Sequence, residues 1–178
     1  MLIGGAALAA LPRRLRADGD MPPSFNGKRR PWTIVRPPAP APVLRLTTKK
    51  GSVVTTDRFK GRVILLNFWA TWCPACLYEL PDLEKLHVML GREGLSVVPV
   101  NLDENGHRVA QPYFERLGIR NLPLLLDPAG DSATLYGLRE GLPWSFLVDR
   151  QGLMQGYLMG AADWTGEDGL ALLRHYLG

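Results

Sequence analysis

The chain has 178 residues, of which 46% are hydrophobic and 21% charged. That length suits one domain with a tail, and the apolar share excludes a wholly disordered or fibrous chain. The formal charge of +4 conceals an asymmetry: residues 1–62 carry 13 Lys/Arg against 3 Asp/Glu, residues 63–178 carry 8 against 14. The body is therefore acidic and lacks the basic stripe that phosphate binding needs, so no nucleic-acid partner is expected.

Residues 2–11 form a short apolar run, followed by Arg13, Arg14 and Arg16. A bilayer span takes about 20 apolar residues, so this run alone is too short. It fits the apolar core of an export signal whose basic start lies upstream of Met1; a plain unstructured N-terminus is the competing reading. Eight of the 15 prolines precede residue 43. Proline removes donors from ladders and helices, so residues 1–42 are assigned to a flexible N-terminal arm whose stretch 36–42 is a stiff spacer. Its basic residues are read as solvated, with attraction to anionic lipid if the arm lies beside a membrane.

Residues 43–178 are read as the folded domain. Residues 43–47 alternate weakly, as an edge strand does. Residues 63–69 are continuously apolar with β-branched and aromatic members, the mark of a central strand covered on both faces. Leu77, Leu80, Leu83, Leu86 and Leu90 then recur at helical spacing up to Gly91, with Pro81 expected to kink the helix. A second buried strand is expected over 95–102. A helix carrying Val109, Tyr113, Phe114 and Leu117 ends at Gly118, followed by a short strand at 122–126 and a short helix at 132–138. Strands 145–148 and 153–158 flank a tight turn, and Leu170, Leu173 and Leu177 mark the last helix. Alternating strand and helix closed by a hairpin implies an α/β sandwich with a mixed sheet.

The only cysteines, Cys73 and Cys76, lie in Trp72-Cys73-Pro74-Ala75-Cys76, where the first buried strand gives way to helix. Unpaired N–H groups and the positive end of the helix dipole stabilise a thiolate at such a place. Proline suits the first helical position because its missing N–H would have had no partner. Two intervening residues leave the sulfurs within bonding reach. As a structural staple, a bridge closing so small a loop stabilises by only about 2 kcal/mol. As a zinc site, the pair lacks partners, since neither His87 nor His107 has a matching spacing. Redox cycling between dithiol and disulfide, with no metal and no other cofactor, is the favoured reading.

Leu66-Asn67-Phe68-Trp69-Ala70-Thr71-Trp72-Cys73-Pro74-Ala75-Cys76, followed by Glu79 and Pro81, resembles the thioredoxin superfamily. Within it the likeness is to the bacterial extracytoplasmic TlpA/ResA/DsbE-type thiol–disulfide oxidoreductases. It extends through residues 141–149 and 160–164, covers about 43–178 and leaves the arm outside. The resemblance implies a thioredoxin-like three-layer α/β/α sandwich with a mixed central sheet. It makes Cys73 the attacking thiol and Cys76 the resolving one. Pro143 becomes a cis-proline opposite the disulfide, with Pro123 its rival, and the backbone of Leu142 the place where a substrate strand pairs. Trp72 and Pro74 are expected at the rim of the substrate groove. Trp144, where relatives often carry a small residue, is expected to narrow that groove. Asn67 stands where cytosolic thioredoxins place an Asp, and an amide cannot take up the proton that a resolving thiol releases. Glu79, one turn beyond Cys76, is the candidate for that proton; a solvated surface carboxylate is the alternative. Phe68 and Trp69 are read as core, and Met89, Met154 and Met159 as core filler rather than a copper site.

The activity so implied is a protein thiol–disulfide oxidoreductase, running as a reductase of cysteine pairs in extracytoplasmic partner proteins during cytochrome c or copper-site maturation. A membrane thiol donor of DsbD/CcdA type would supply electrons. A monomer is expected, periplasmic or otherwise extracytoplasmic, or anchored to the membrane through its arm. A DsbA-like oxidase is disfavoured because it carries a large helical insertion where residues 95–126 read as strand, helix, strand. The alternative of a different class is a copper chaperone or non-catalytic binding module, which needs further soft ligands or a second copy. A peroxidase is disfavoured by the cysteine spacing.

Overall fold

The computed structural model describes residues 21–127 and 129–178; the apolar run at 2–11 and its export-signal reading lie outside them. The buried run is β4 (Val63–Trp69), and every one of its residues is buried. It sits mid-sheet between β5 (Leu95–Asn101), parallel to it, and β7 (Trp144–Val148), antiparallel to it. The hairpin partner of β7 is β8 (Leu153–Met159), and beyond β8 lies the antiparallel edge strand β1 (Thr33–Pro40). On the other side β5 pairs with the short β6 (Leu125–Leu126), then β2 (Arg45–Thr48) and β3 (Val53–Thr55). The order is β1-β8-β7-β4-β5-β6-β2-β3. The helices are α1 (Pro74–Leu90), α2 (His107–Arg116), α3 (Asp131–Leu135) and α4 (Glu167–Leu177).

Side chains alternate across a strand, so β4 feeds two cores. Val63, Leu65 and Trp69 pack with Leu80, Leu83 and Leu86 of α1, Phe114 of α2 and Leu172 and Leu173 of α4. Ile64, Leu66 and Phe68 pack with Val98, Tyr136 and Phe146 on the opposite face. This is the layered mixed-sheet architecture that the alternation of elements led us to expect. Phe68 and Trp69 are core as expected, and Met154 and Met159 pack against the second cluster, but Met89 is exposed on α1. Pro81 lies inside α1, which continues past Gly91 into a 3-10 turn; the left-handed residue that ends it is Gly94, with φ 106°.

The largest departure concerns the arm. Residues 25–40, assigned to a flexible N-terminal segment, belong to the fold. Phe25 and Trp32 are buried and pack against Trp164, with ring centroids 4.8 and 6.3 Å apart. Prolines are tolerated in β1 because it is an edge strand, where one side of the backbone needs no ladder partner. Pro37 and Pro38 fall inside the break in its register between Ile34 and Ala39, and Arg36–Pro37 is cis. Among the described residues no helix is long and apolar enough to cross a membrane.

Gly156 of β8 is what admits this segment. A Cβ there would lie 2.4 Å from Trp32 Cζ2 and 2.6 Å from the Thr33 carbonyl oxygen. Gly156→Ala is therefore expected to cost about 1–3 kcal/mol by overpacking and to loosen residues 25–40. Urea unfolding and limited proteolysis check this; an unchanged midpoint with unchanged cleavage would show that the close approach is dispensable.

Candidate active site

The segment between β4 and α1 is held from below. Asp103 accepts from the Thr71 N–H and the Thr71 hydroxyl, both at 2.9 Å, and from Asn101 Nδ2 at 2.6 Å. The chain then turns, and Cys73 caps α1: its Sγ accepts the Cys76 N–H at 3.1 Å. Pro74 follows at the helix start, where it costs no hydrogen bond. That N–H and the positive helix end both stabilise a sulfur anion on Cys73. The cysteines are joined as a disulfide with Cα atoms 5.3 Å apart. Both cysteines are buried, Cys73 at 5% exposure and Cys76 at 1%, and of the two only Cys73 lines the adjoining groove.

Cys73 opens onto a groove of about 440 Å³. Trp72, 66% exposed, forms its rim together with Pro74 and Ala75, while Gly141 and Leu142 form the facing wall. The antiparallel register that pairs Phe68 with Trp144 carries the start of β7 to the cysteine end of β4. There the Leu142–Pro143 bond is cis, whereas the bond before the rival, Pro123, is not. The Pro143 carbonyl accepts the Gly160 N–H at 2.8 Å, which fixes this wall to the turn after β8.

Trp144 does not narrow the groove. Its alternation on β7 sends it to the opposite core, where it stacks on Phe146 at 5.8 Å and donates Nε1 to the carbonyls of Glu140 and Gly141. A residue next to Pro143 in sequence is thus across the sheet from the cysteines.

Glu79 is buried rather than solvated, at 1% exposure. Its Oε1 accepts the Ala162 N–H at 3.0 Å and Trp164 Nε1–H at 2.7 Å, and its Oε2 accepts Asn67 Nδ2 at 3.1 Å. Asn67 Nδ2 also donates to Ser145 Oγ at 3.0 Å. Burial raises the Glu79 pKa to about 7 despite these three hydrogen bonds, each of which lowers it. Glu79 lies one helical turn beyond Cys76 on the same helix, and both are buried.

Sequence reasoning singled out the cysteines, Asn67, Glu79, Leu142 and Pro143. It missed Asp103, Ser145 and Trp164 as their supports, and it missed Lys28 and Arg29, which line the groove from the N-terminal segment. The available signal was polar residues inside buried strands: Asn67 and Ser145 interrupt apolar runs, and their register pairs them directly. Among the described residues no group of three or more His, Cys, Asp or Glu is placed to hold a metal ion.

A strand–turn–helix carrying a two-residue-spaced disulfide opposite a cis-proline, on a sheet of this order, is a thioredoxin-like site. The chain belongs to the AhpC/TSA family, whose model matches residues 37–156. It is similar to the thiol-disulfide oxidoreductase ResA of Geobacillus kaustophilus, 30% identical over 136 residues, 76% of this chain and 75% of that protein. With ResA of Bacillus thuringiensis subsp. konkukian it shares 31% identity over 112 residues, 63% of each, so the match spans less than two thirds of that relative. Among solved structures it resembles a Chlorobium tepidum protein provisionally described as thiol:disulfide interchange protein DsbE. That likeness has a TM-score of 0.72 and 30% identity over 79% of this chain and 97% of the other. The pneumococcal exposed lipoprotein thioredoxin Etrx1 of Streptococcus pneumoniae gives 0.61 and 27%, over 76% and 98%.

Proposed function

We propose that the protein is a thiol–disulfide oxidoreductase acting as a reductase of cysteine pairs in extracytoplasmic partner proteins. The observation that carries this is the Cys73–Cys76 disulfide at the start of α1, with Cys73 lining a groove whose facing wall, Gly141 and Leu142, runs into cis-Pro143. In the reduced protein, the Cys73 thiolate attacks one sulfur of a substrate disulfide. A mixed disulfide forms, and the substrate's other sulfur leaves as a thiolate that takes a proton. Cys76 then loses its proton and attacks Cys73 Sγ, forming the Cys73–Cys76 bond and releasing the second substrate thiol. Two electrons pass to the substrate, and an external dithiol returns them.

Glu79 is suited to the proton of the second step, since its pKa of about 7 lets it both accept and release one near neutrality. The groove wall at Leu142 lies ahead of the β7 ladder, which supports a role for its backbone in pairing with an extended substrate segment. The resemblance of the cysteine segment supports apocytochrome or copper-site cysteines as substrates, and a membrane-embedded thiol donor of DsbD/CcdA type. The pneumococcal relative, called an exposed lipoprotein thioredoxin, supports an extracytoplasmic location.

Trapping tests the reading. Cys76→Ser leaves the attacking thiol without its resolver, so cells expressing it are expected to accumulate a disulfide-linked adduct on Cys73 that dithiothreitol releases. Absence of any Cys73-dependent adduct would count against catalysis and favour a non-catalytic binding role.

A further inference from the structure

We infer that the groove beside Cys73 selects substrate segments carrying Asp or Glu next to the reactive cysteine, through a basic hairpin that the N-terminal segment lays along it. This rests on the oxidoreductase reading above and adds the substrate class. The hairpin is built, not draped. Asn26 bridges to Pro31, the Gly27 N–H meets the Arg30 carbonyl at 2.9 Å, and the Trp32 N–H meets the Phe25 carbonyl at 2.8 Å. Its two flanks, Phe25 and Trp32, are anchored in the core against Trp164. Its tip therefore has a fixed place.

That place is the active-site groove. The Lys28 N–H donates to the Ala161 carbonyl at 2.9 Å, and Lys28 Nζ stands 3.9 Å above the centre of the exposed Tyr78 ring on α1. Arg29 crosses the turn at Gly160, whose missing Cβ would lie 3.6 Å from Arg29 Cβ. Lys28 and Arg29 both line the groove, and no carboxylate does among the described residues. The neighbouring Arg30 is spent on Glu140 at 3.1 Å, whereas Arg29 has no ion-pair partner among the described residues. An otherwise acidic body thus presents two cations beside its reactive sulfur. The hairpin precedes residue 37, where the family match begins. Opposite charges at a groove rim act on partner choice and encounter more than on chemistry.

The occupant is an extended peptide with a carboxylate a few residues from its cysteine. The test uses two disulfide-closed Cys-X-X-Cys peptides of equal length, one flanked by Asp and Glu and one by Lys. Pre-reduced full-length protein is mixed with each under single-turnover conditions, and each rate is divided by that for dithiothreitol to remove intrinsic reactivity. The acidic peptide is expected to react roughly five- to tenfold faster than the basic one, as two exposed charges of modest worth allow. The ratio should approach one in 0.5 M salt. It should fall below one in Arg29→Glu and shrink about twofold in Lys28→Gln. Because each ratio is internal to one variant, a general change in reactivity cancels. Equal wild-type rates, or a ratio unmoved by Arg29→Glu, would overturn the inference while leaving the oxidoreductase intact. If the wild type reacted with neither peptide nor with hydroxyethyl disulfide, a small uncharged probe, the oxidoreductase reading would fall, and this one with it.

Discussion

Cys73→Ser is expected to abolish disulfide reduction, with a loss of roughly 10³-fold or more, as removal of an attacking nucleophile commonly causes. The hydroxyl that replaces the sulfur would sit at the same cap of α1, still within reach of the Cys76 N–H, yet it does not ionise near neutral pH. Cys76 cannot substitute, because its sulfur is turned into the core at 1% exposure. The fold should survive. The lost bridge joins residues three apart, and closing so short a loop stabilises by only about 2 kcal/mol. Insulin reduction at fixed dithiothreitol, with circular dichroism on the same sample, separates the two effects. A folded Cys73→Ser protein that kept a tenth of the wild-type rate would place the chemistry elsewhere.

The second large effect belongs to Glu79. Its pKa is about 7 in the folded protein against an ordinary value of 4.5, so between those limits the native state holds a proton that the unfolded chain does not. Stability then falls as pH rises: the contribution is complete below about pH 4.5 and lost by the time pH passes 7. The shift corresponds to about 3 kcal/mol. Glu79→Gln should remove this slope, giving a flatter denaturation profile from pH 5 to pH 8. The amide is accommodated if Asn67 turns its own amide over, presenting Oδ1 to the new Nε2 while the Ser145 hydroxyl reverses its role. The same substitution should slow the resolving step by about 10²-fold, the lower end of what a placed proton acceptor contributes, and erase the inflection near pH 7 in its rate. A wild-type inflection that persisted in Glu79→Gln would assign the proton to another group. A flat stability profile in the wild type would show that the carboxyl is not held protonated.

The fold was legible where local chemistry and tertiary context agreed. The run 63–69 reads as a strand buried on both faces because a parallel central strand has no solvent side to mark with polar residues. The cysteine pair reads as redox-active because a helix start, a proline and a two-residue spacing serve one chemistry together. Short elements were only partly legible: the strand expected over 122–126 forms as β6 at Leu125–Leu126, whereas the three residues of β3 are too few for any periodicity to show. Trp144 misled because nearness in sequence to Pro143 was taken for nearness in space, whereas the pleat of a strand sends neighbours to opposite layers.

The amino-acid sequence by itself determined the alternation of strands and helices from residue 63 onward and the place of Cys73 and Cys76 at a helix start. Those are local matters, set by side-chain period, by donors missing from proline and by the unpaired groups of a helix end. Tertiary structure alone decided the rest. It turned a proline-rich arm into an edge strand and a hairpin, because Gly156 leaves room for Trp32 and the edge of a sheet forgives missing donors. It also made Glu79 a buried acid, because only packing brings Asn67, Ala162 and Trp164 around one carboxyl and shuts water out. Burial and long-range contact depend on what the chain folds against, and a local pattern carries no record of that.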